Sequence, residues 1–379
     1  MDVPDVIQTW QMVRPWKKDK ETGAKTPGLL ELTSIPTPEL GPGEVLVEVA
    51  GCGVCHTDLS FFYYGVPTVN KPPLTLGHEI SGRVVAGEAG WIGKDVIIPA
   101  VMPCNDCPIC AAGRGNRCLA QKMPGNSLGM YGGFASHIPV PAADLCVVPP
   151  LTSPPVGGIE GGGGLALEQL AVLADAITTP YQAVTRADVQ AGDRVIVVGA
   201  TGGVGTYVVQ IAKAFGAETV VAIDVNQDKL ERSLEHGADF VVNARGKSAK
   251  EMRNEFRAMC KAHGLPHHYG WKIFEVSGAK GGQEIALALL SFIGKLIWVG
   301  FGATVNEYSL SRLMAFDAEI IGTWGCLPEY YPPTLDMVLD GRIQVEPFVE
   351  TRPMSSIRET FEEAHAGKLT RRVVLTPDF

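Results

Sequence analysis

Apolar residues follow two different rhythms along this chain. Glu44–Val49 (EVLVEV) alternates with period two, which places Val45, Val47 and Val49 on one face of a strand. Gly51, Gly53 and Gly65 punctuate the stretch after it, and Pro72-Pro73 and the 149–155 region mark loops. The first half reads as a mostly antiparallel β domain, expected over residues 1–177. Gly157–Gly164 (GGIEGGGG) reads as a surface loop and not a phosphate cradle, because no strand precedes it. From about Thr178 the rhythm changes. Arg194–Val198 (RVIVV) is an almost wholly apolar strand, followed by glycines and the helical run Val204–Phe215. Glu218–Ile223 is the next strand and Gln227–His236 the next helix, with later strands at Ile273–Val276 and Lys295–Val299. Apolar strands alternating with helices indicate a parallel sheet covered on both faces, expected over residues 178–326. Past Cys326 the alternation is lost, and residues 327–379 are expected to return to the first domain. The predicted class is therefore a two-domain α/β protein.

Composition narrows the possible partners. The chain has 379 residues, room for two domains, and its 46% hydrophobic and 19% charged residues exclude a disordered chain. A net charge of −9 disfavours nucleic acid or an anionic membrane as the main partner, yet permits an anionic small molecule in a local basic pocket. The opening MDVPDVIQTW has neither a basic n-region nor an apolar h-region, and the apolar run Ile285–Ile293 is too short to span a bilayer. A cytoplasmic location is expected. There, nine cysteines suit thiolate ligands better than disulfides.

Two motifs carry chemistry by themselves. Val195–Gly205 reads VIVVGATGGVG: a buried strand runs into Gly199, Gly202, Gly203, Val204 and Gly205 and then a helix. Glycine there permits a tight turn and close approach to a pyrophosphate, which the helix N-terminus stabilises. Asp224 stands 19 residues after Gly205, where an acid can bond both hydroxyls of the adenosine ribose. Its charge would repel a 2′-phosphate, and Val225 and Asn226 offer no cation to hold one, so NAD is expected over NADP. The bland reading, a glycine-rich turn without ligand, leaves that order of strand, glycines, helix and acid unexplained. The second motif is Cys104-x2-Cys107-x2-Cys110-x7-Cys118. Four thiolates in fifteen residues can close a tetrahedral shell on zinc, with no open position for chemistry, so a structural zinc is expected. Free loop thiols and an iron–sulfur cluster are the weaker alternatives. GCGVCHTD (51–58) and GHE (77–79) contain Cys55 and His78, which taken singly would more often be core residues.

In combination these segments resemble the zinc-dependent medium-chain alcohol dehydrogenases, over essentially the whole chain and in the same order. The resemblance implies a GroES-like catalytic domain followed by a Rossmann domain, one catalytic and one structural zinc, and NAD. Carried over by position, it implies Cys55, His78 and Asp175 as ligands of the catalytic zinc, with Glu79 a nearby carboxylate able to ligate or exchange. It implies that Asp58 orients the zinc-bound imidazole and that Thr57 bonds the substrate hydroxyl and starts proton removal. Ser60 stands where many members carry a relay histidine and is the substitute candidate. Contacts to the cofactor are implied at His56, Lys229, Val276 and Arg372. Homo-oligomerisation is implied through strands near Leu296–Val305.

IQTWQMV, GVPTVNKPPLTLGHEISGRVVAGEAGWIGKDVIIPAVMPC and CLAQKMPGNSLGMYGGFASH further resemble a branch of that family acting on alicyclic hydroxyacyl-CoA esters. A CoA-ester substrate requires cations for its phosphates, and Arg14, Lys17, Lys18, Arg114, Arg117 and Lys122 are the candidates. Three other readings stay open: a dehydrogenase of simple or aromatic alcohols, an enoyl reductase of the same superfamily, and a zinc-binding interaction module without activity. Zinc ligands at Cys55, His78 and Asp175 oppose the reductase. The dinucleotide motif opposes the module.

Overall fold

The computed structural model describes residues 3–19, 21–151 and 164–379. Most of the glycine-rich 157–164 run therefore lies outside the described residues. The chain divides into two compact units: Met1–Thr178 with Gly325–Asp340 and Val345–Phe379, and Thr179–Trp324 with Gly341–Gln344.

In the first unit the period-two pattern becomes the strand Glu44–Gly53, which pairs antiparallel with Glu79–Gly87 and His137–Pro141. Val45, Val47 and Val49 enter the main core, and Leu46 faces a smaller cluster with Ile7, Ile35 and Val85. The sheet continues outward from Glu79–Gly87 through Asp95–Ile98 to Cys146–Val148. On the other side of Glu44–Gly53 it takes in Arg372–Thr376 and then Val349–Pro353. The C-terminal segment thus closes this sheet, which brings Arg372 beside the strand that carries Cys52 and Gly53.

The second unit is a six-stranded parallel sheet. Its order is Phe240–Asn243, Thr219–Asp224, Arg194–Val198, Trp271–Glu275, Lys295–Trp298 and Glu319–Gly322. Numbered within the unit, that order is 3-2-1-4-5-6, the doubly wound arrangement whose strand order reverses between the first and fourth strands. Helices Gly205–Ala214, Gln227–Leu234, Ala249–Ala262, Lys280–Leu289 and Leu310–Phe316 make the five connections. Of the stretch expected near an oligomer contact, Leu296 is wholly buried in an interior strand and Val305 is exposed; the sheet's two edge strands are Phe240–Asn243 and Glu319–Gly322. Among the described residues no helix is long and apolar enough to cross a membrane.

Candidate functional site

The helix His56–Tyr63 begins where it does because its third residue folds back on its own start. Asp58 Oδ2 accepts the Cys55 amide at 3.1 Å, capping an otherwise orphaned donor. The other oxygen accepts the Gly77 amide at 3.1 Å and lies 3.3 Å from His78 Nδ1. One wholly buried carboxylate therefore fixes both the loop of Cys55 and the turn of His78. With Nδ1 held, Nε2 is the nitrogen left to bind a metal. That atom is buried with no hydrogen bond of adequate geometry, 3.5 Å from Asp175 Oδ2. Cys55 Sγ is 3.7 Å from the same oxygen, and ligand atoms of Cys55, His78, Glu79 and Asp175 all lie within 4.8 Å of one another. A tetrahedral ion with bonds of about 2.0–2.3 Å needs ligand atoms roughly 3.3–3.8 Å apart, so Cys55, His78 and Asp175 fit zinc.

Electrostatics agree with the geometry. Burial disfavours the His78 imidazolium, yet the charge of Asp58, with the Asp175 carboxylate close by, outweighs it and raises the pKa. Such a surplus of negative charge is what a divalent cation neutralises.

Glu79 is more committed than expected. Arg372 grips both its oxygens, Nε to Oε2 at 2.7 Å and Nη2 to Oε1, with both side chains buried. Burial raises the Glu79 pKa and the arginine opposes it. As a metal ligand, Glu79 would first have to give up part of this pair. Arg372, which the resemblance implies as a cofactor contact, here has its guanidinium engaged by Glu79.

Thr57 Oγ1 lies 3.7 Å from Cys55 Sγ, beside the metal pocket. The Ser60 hydroxyl donates to the His56 carbonyl at 2.9 Å, one turn back along the same helix. His56 has an exposed face, and partial desolvation, then the charge of Arg372, lowers its pKa. Cys52 has its thiol buried in the core, directed at the Gly53 carbonyl, three residues short of the ligand Cys55.

Sequence reasoning missed the group that holds Asp175. This residue caps the buried turn Leu167–Ala174, and the Tyr331 hydroxyl fixes the end of that turn by donating to the Ala174 carbonyl while accepting the Ala100 amide at 3.0 Å. Tyr331 is wholly buried, yet an isolated tyrosine in a tail without periodicity carries no signal. Cys326 is also buried nearby; burial, then the charge of Asp175, pushes its thiol well up and keeps it neutral.

The four-cysteine loop folds on itself. Sγ separations are 3.3 Å for Cys104–Cys118, 3.5 Å for Cys107–Cys110 and 3.9 Å for Cys107–Cys118, close to the roughly 3.8 Å of a tetrahedral zinc–thiolate shell. Backbone amides of Leu119 and Cys110 bring the Cys107 thiol down to about 6, while desolvation and neighbouring thiols push Cys110 up to about 12. Without a cation the four thiolates cannot all form. None of the nine cysteines is in a disulfide.

In the second unit the glycine turn lies at the strand reversal. Gly199 has φ +88°, and a Cβ there would meet Ser277 at 2.8 Å. At Gly205 a Cβ would meet the Gly199 carbonyl at 2.0 Å, so only glycine lets the helix pack on the strand. Gly202 has only that carbonyl nearby, at 3.5 Å, and with Gly203 it is exposed, leaving space for a phosphate. Asp224 Oδ2 accepts the Thr201 amide at 2.9 Å and Oδ1 the Val225 amide at 2.7 Å, fixing the carboxylate at the strand end. Val204 is the N-cap of the following helix, the Val276 amide bonds the Val198 carbonyl at 3.0 Å across the reversal, and the Lys229 amide is capped by Asn226 at 3.1 Å. Cofactor contacts of these three residues are an expectation from the resemblance.

The candidate phosphate cations do not form one group. Lys17 and Lys18 line a pocket of about 800 Å³ with Lys25 and Arg358. Arg114 and Arg117 flank the short turn before Cys118, Arg14 Nε donates to the Pro27 carbonyl, and Lys122 pairs with Glu44 at 3.5 Å.

Residues 41–150 match the alcohol dehydrogenase GroES-like domain and residues 203–340 the zinc-binding dehydrogenase domain. An alcohol dehydrogenase of Geobacillus stearothermophilus is 30% identical over 91% of this chain and 95% of its own length. An NAD-dependent alcohol dehydrogenase of Sulfurisphaera tokodaii is 26% identical over 92% and 96%. Among solved structures, acetophenone reductase from Geotrichum candidum in complex with NAD superposes with a TM-score of 0.77, at 26% identity over 99% and 98% of the chains. A buried thiolate–imidazole–carboxylate set on a GroES-like unit, a doubly wound unit with its glycine turn and near-complete coverage of these relatives agree: the chain belongs to the zinc-dependent medium-chain alcohol dehydrogenase family.

Proposed function

We propose that this enzyme oxidises the ring hydroxyl of 6-hydroxycyclohex-1-ene-1-carbonyl-CoA to the ketone with NAD, a step of anaerobic aromatic degradation. The alcohol-oxidising chemistry rests on one observation, the convergence of Cys55 Sγ, His78 Nε2 and Asp175 Oδ2 at separations that suit zinc. The CoA ester is supported by the three sequence stretches that resemble the branch acting on such esters.

Zinc held by these residues would polarise the alcohol and lower its pKa, and NAD on the glycine turn would accept the carbinol hydride. Asp58 keeps the His78 proton on Nδ1, so that Nε2 faces the pocket as a lone pair. The Thr57 hydroxyl takes the alcohol proton at Oγ1 and passes its own to water. Arg372 offsets the Glu79 charge, so the pocket is not overloaded with anions. Asp224, held by two amides, receives the ribose hydroxyls. His56, Lys229, Val276 and Arg372 are proposed as further cofactor contacts.

NADH absorbance on adding the CoA ester, its free acid or benzyl alcohol to enzyme with NAD tests the reading. Rapid reduction with the ester alone supports it; reduction with benzyl alcohol and none with the ester favours the second reading, a dehydrogenase of simple or aromatic alcohols, to which the likeness to acetophenone reductase gives weight. The working enzyme is further proposed to be a homo-oligomer paired through the Glu319–Gly322 edge of its parallel sheet.

A further inference from the structure

On an acidic chain, several described cations sit against carboxylates, as Lys122 does with Glu44, Lys213 with Asp239 and Lys272 with Asp193. Lys17, Lys18, Lys25 and Arg358 have no such partner among the described residues, yet all four line the same pocket of about 800 Å³. Lys18 stands directly opposite Lys25 on a two-stranded ribbon, a like-charge pairing that costs stability unless something anionic lies between. Arg358 is anchored through Nε and Nη2 on the Leu30 carbonyl, at 3.1 and 2.7 Å, with its guanidinium over the Trp10 ring. Its charge is fixed in place without being neutralised.

One carboxylate, Glu362, also lines the pocket, four cations to one anion, and much of the remaining wall is aromatic. Tyr63 stacks on His365 with centroids 4.1 Å apart and rings within 10° of parallel, and Trp16 stacks more loosely on Tyr63 at 6.2 Å. The Tyr64 hydroxyl and His365 Nδ1, 3.0 Å apart, hold the imidazole. A rigid aromatic face beside cations that outnumber the single carboxylate Glu362 suits a flat heterocycle carrying phosphates. The volume lies in the range of small-molecule sites.

We propose that this pocket binds the phosphorylated purine end of the CoA thioester; the inference rests on the proposed CoA-ester substrate. The placement favours a tethered ligand over a free nucleotide. Cys55 precedes the first turn of helix His56–Tyr63 and Tyr63 ends it, so its eight residues set the metal pocket and the aromatic wall roughly 12 Å apart along one rod. A ligand whose reacting end and phosphorylated end are separated by a flexible arm spans such a distance.

The test uses zinc-loaded enzyme saturated with NAD, titrated calorimetrically with adenosine 3′,5′-bisphosphate, the nucleotide end of CoA, and separately with ATP. The bisphosphate is expected to bind and to compete with the CoA ester in turnover. Combining Lys17→Glu, Lys18→Glu and Lys25→Glu should weaken it by about tenfold or more, as three exposed charge contacts would. Lys250→Glu with Arg253→Glu and Lys261→Glu, the same change in charge on an exposed helix elsewhere, should leave the affinity as it was. Absent binding, or equal binding to the triple variant, overturns the proposal. So does tight ATP binding that fails to compete with the ester, which points to a free nucleotide. The two readings fail separately: ester turnover with an unaltered KM in the triple variant removes the pocket and keeps the function. Charge-dependent bisphosphate binding without ester turnover removes the CoA substrate and leaves a phosphorylated-purine site.

Discussion

Asp58 joins three tasks in one carboxylate: it caps a helix, pins the Gly77 turn and orients His78. Asp58→Asn keeps the shape and removes the charge. Zinc affinity should fall roughly 10–100-fold, as it does when a metal-bound imidazole loses its carboxylate partner. Chelator competition measures this, with unchanged far-UV circular dichroism showing that the fold persists. The Glu79–Arg372 pair makes a second claim at this scale. Arg372→Ala leaves a buried carboxylate uncompensated and should cost about 3–5 kcal/mol in urea unfolding. Adding Glu79→Ala should recover more than half of that loss; a double variant as unstable as the single one would show that packing, not charge, sets the cost.

Two loops act as elements. The cysteine loop Cys104–Cys118 contains only two short helical turns, Pro108–Ala111 and Gly115–Arg117, so bound metal should supply much of its order. Cys107→Ser should reduce bound zinc from two to one per chain by atomic emission and lower the melting temperature, while the other site keeps its metal. In the dinucleotide turn the glycines should separate by consequence. Gly199→Ala meets Ser277 at 2.8 Å in a left-handed conformation and should destabilise the unit itself. Gly202→Ala meets only a carbonyl at 3.5 Å and should leave the melting temperature nearly unchanged. Its added methyl group lies where a phosphate must approach, so the Kd for NAD should rise about tenfold or more by fluorescence titration. Equal NAD affinity in Gly202→Ala and the parent would place the cofactor elsewhere.

For the whole molecule, one of the two edges of the parallel sheet is paired with an exposed apolar patch. Strand Glu319–Gly322 has an unpaired edge, and Phe301, Val305, Leu310 and Met314 are more than 70% exposed. Unpaired edges and exposed apolar patches are liabilities that proteins cover. A second copy related by a twofold axis would present an identical edge and apolar patch. Val305→Asp with Leu310→Asp should shift the sedimentation coefficient from dimer or larger to monomer. A parent protein that sediments as a monomer at micromolar concentration would remove this proposal.

The sequence by itself determined the local devices whose chemistry is written in short spacing. These are the glycine turn with Asp224 beyond it, the four-cysteine loop, the apolar parallel strands and the alternation of Val45, Val47 and Val49. Each depends on neighbours within one or two elements, so residue type and interval carry the information. Tertiary structure decided what lies between distant segments. Cys55, His78 and Asp175 are 23 and 97 residues apart in sequence order, and only resemblance grouped them; the folded chain brings their ligand atoms together. The clasp of Arg372 on Glu79, the bond of Tyr331 to the turn before Asp175, and the gathering of Lys17, Lys18, Lys25 and Arg358 on one aromatic pocket leave no periodic trace. Side chains meet in those places because helix Tyr331–Leu339, helix Ile357–His365 and strand Arg372–Thr376 all return to the first unit, and no local pattern records where a returning segment lands.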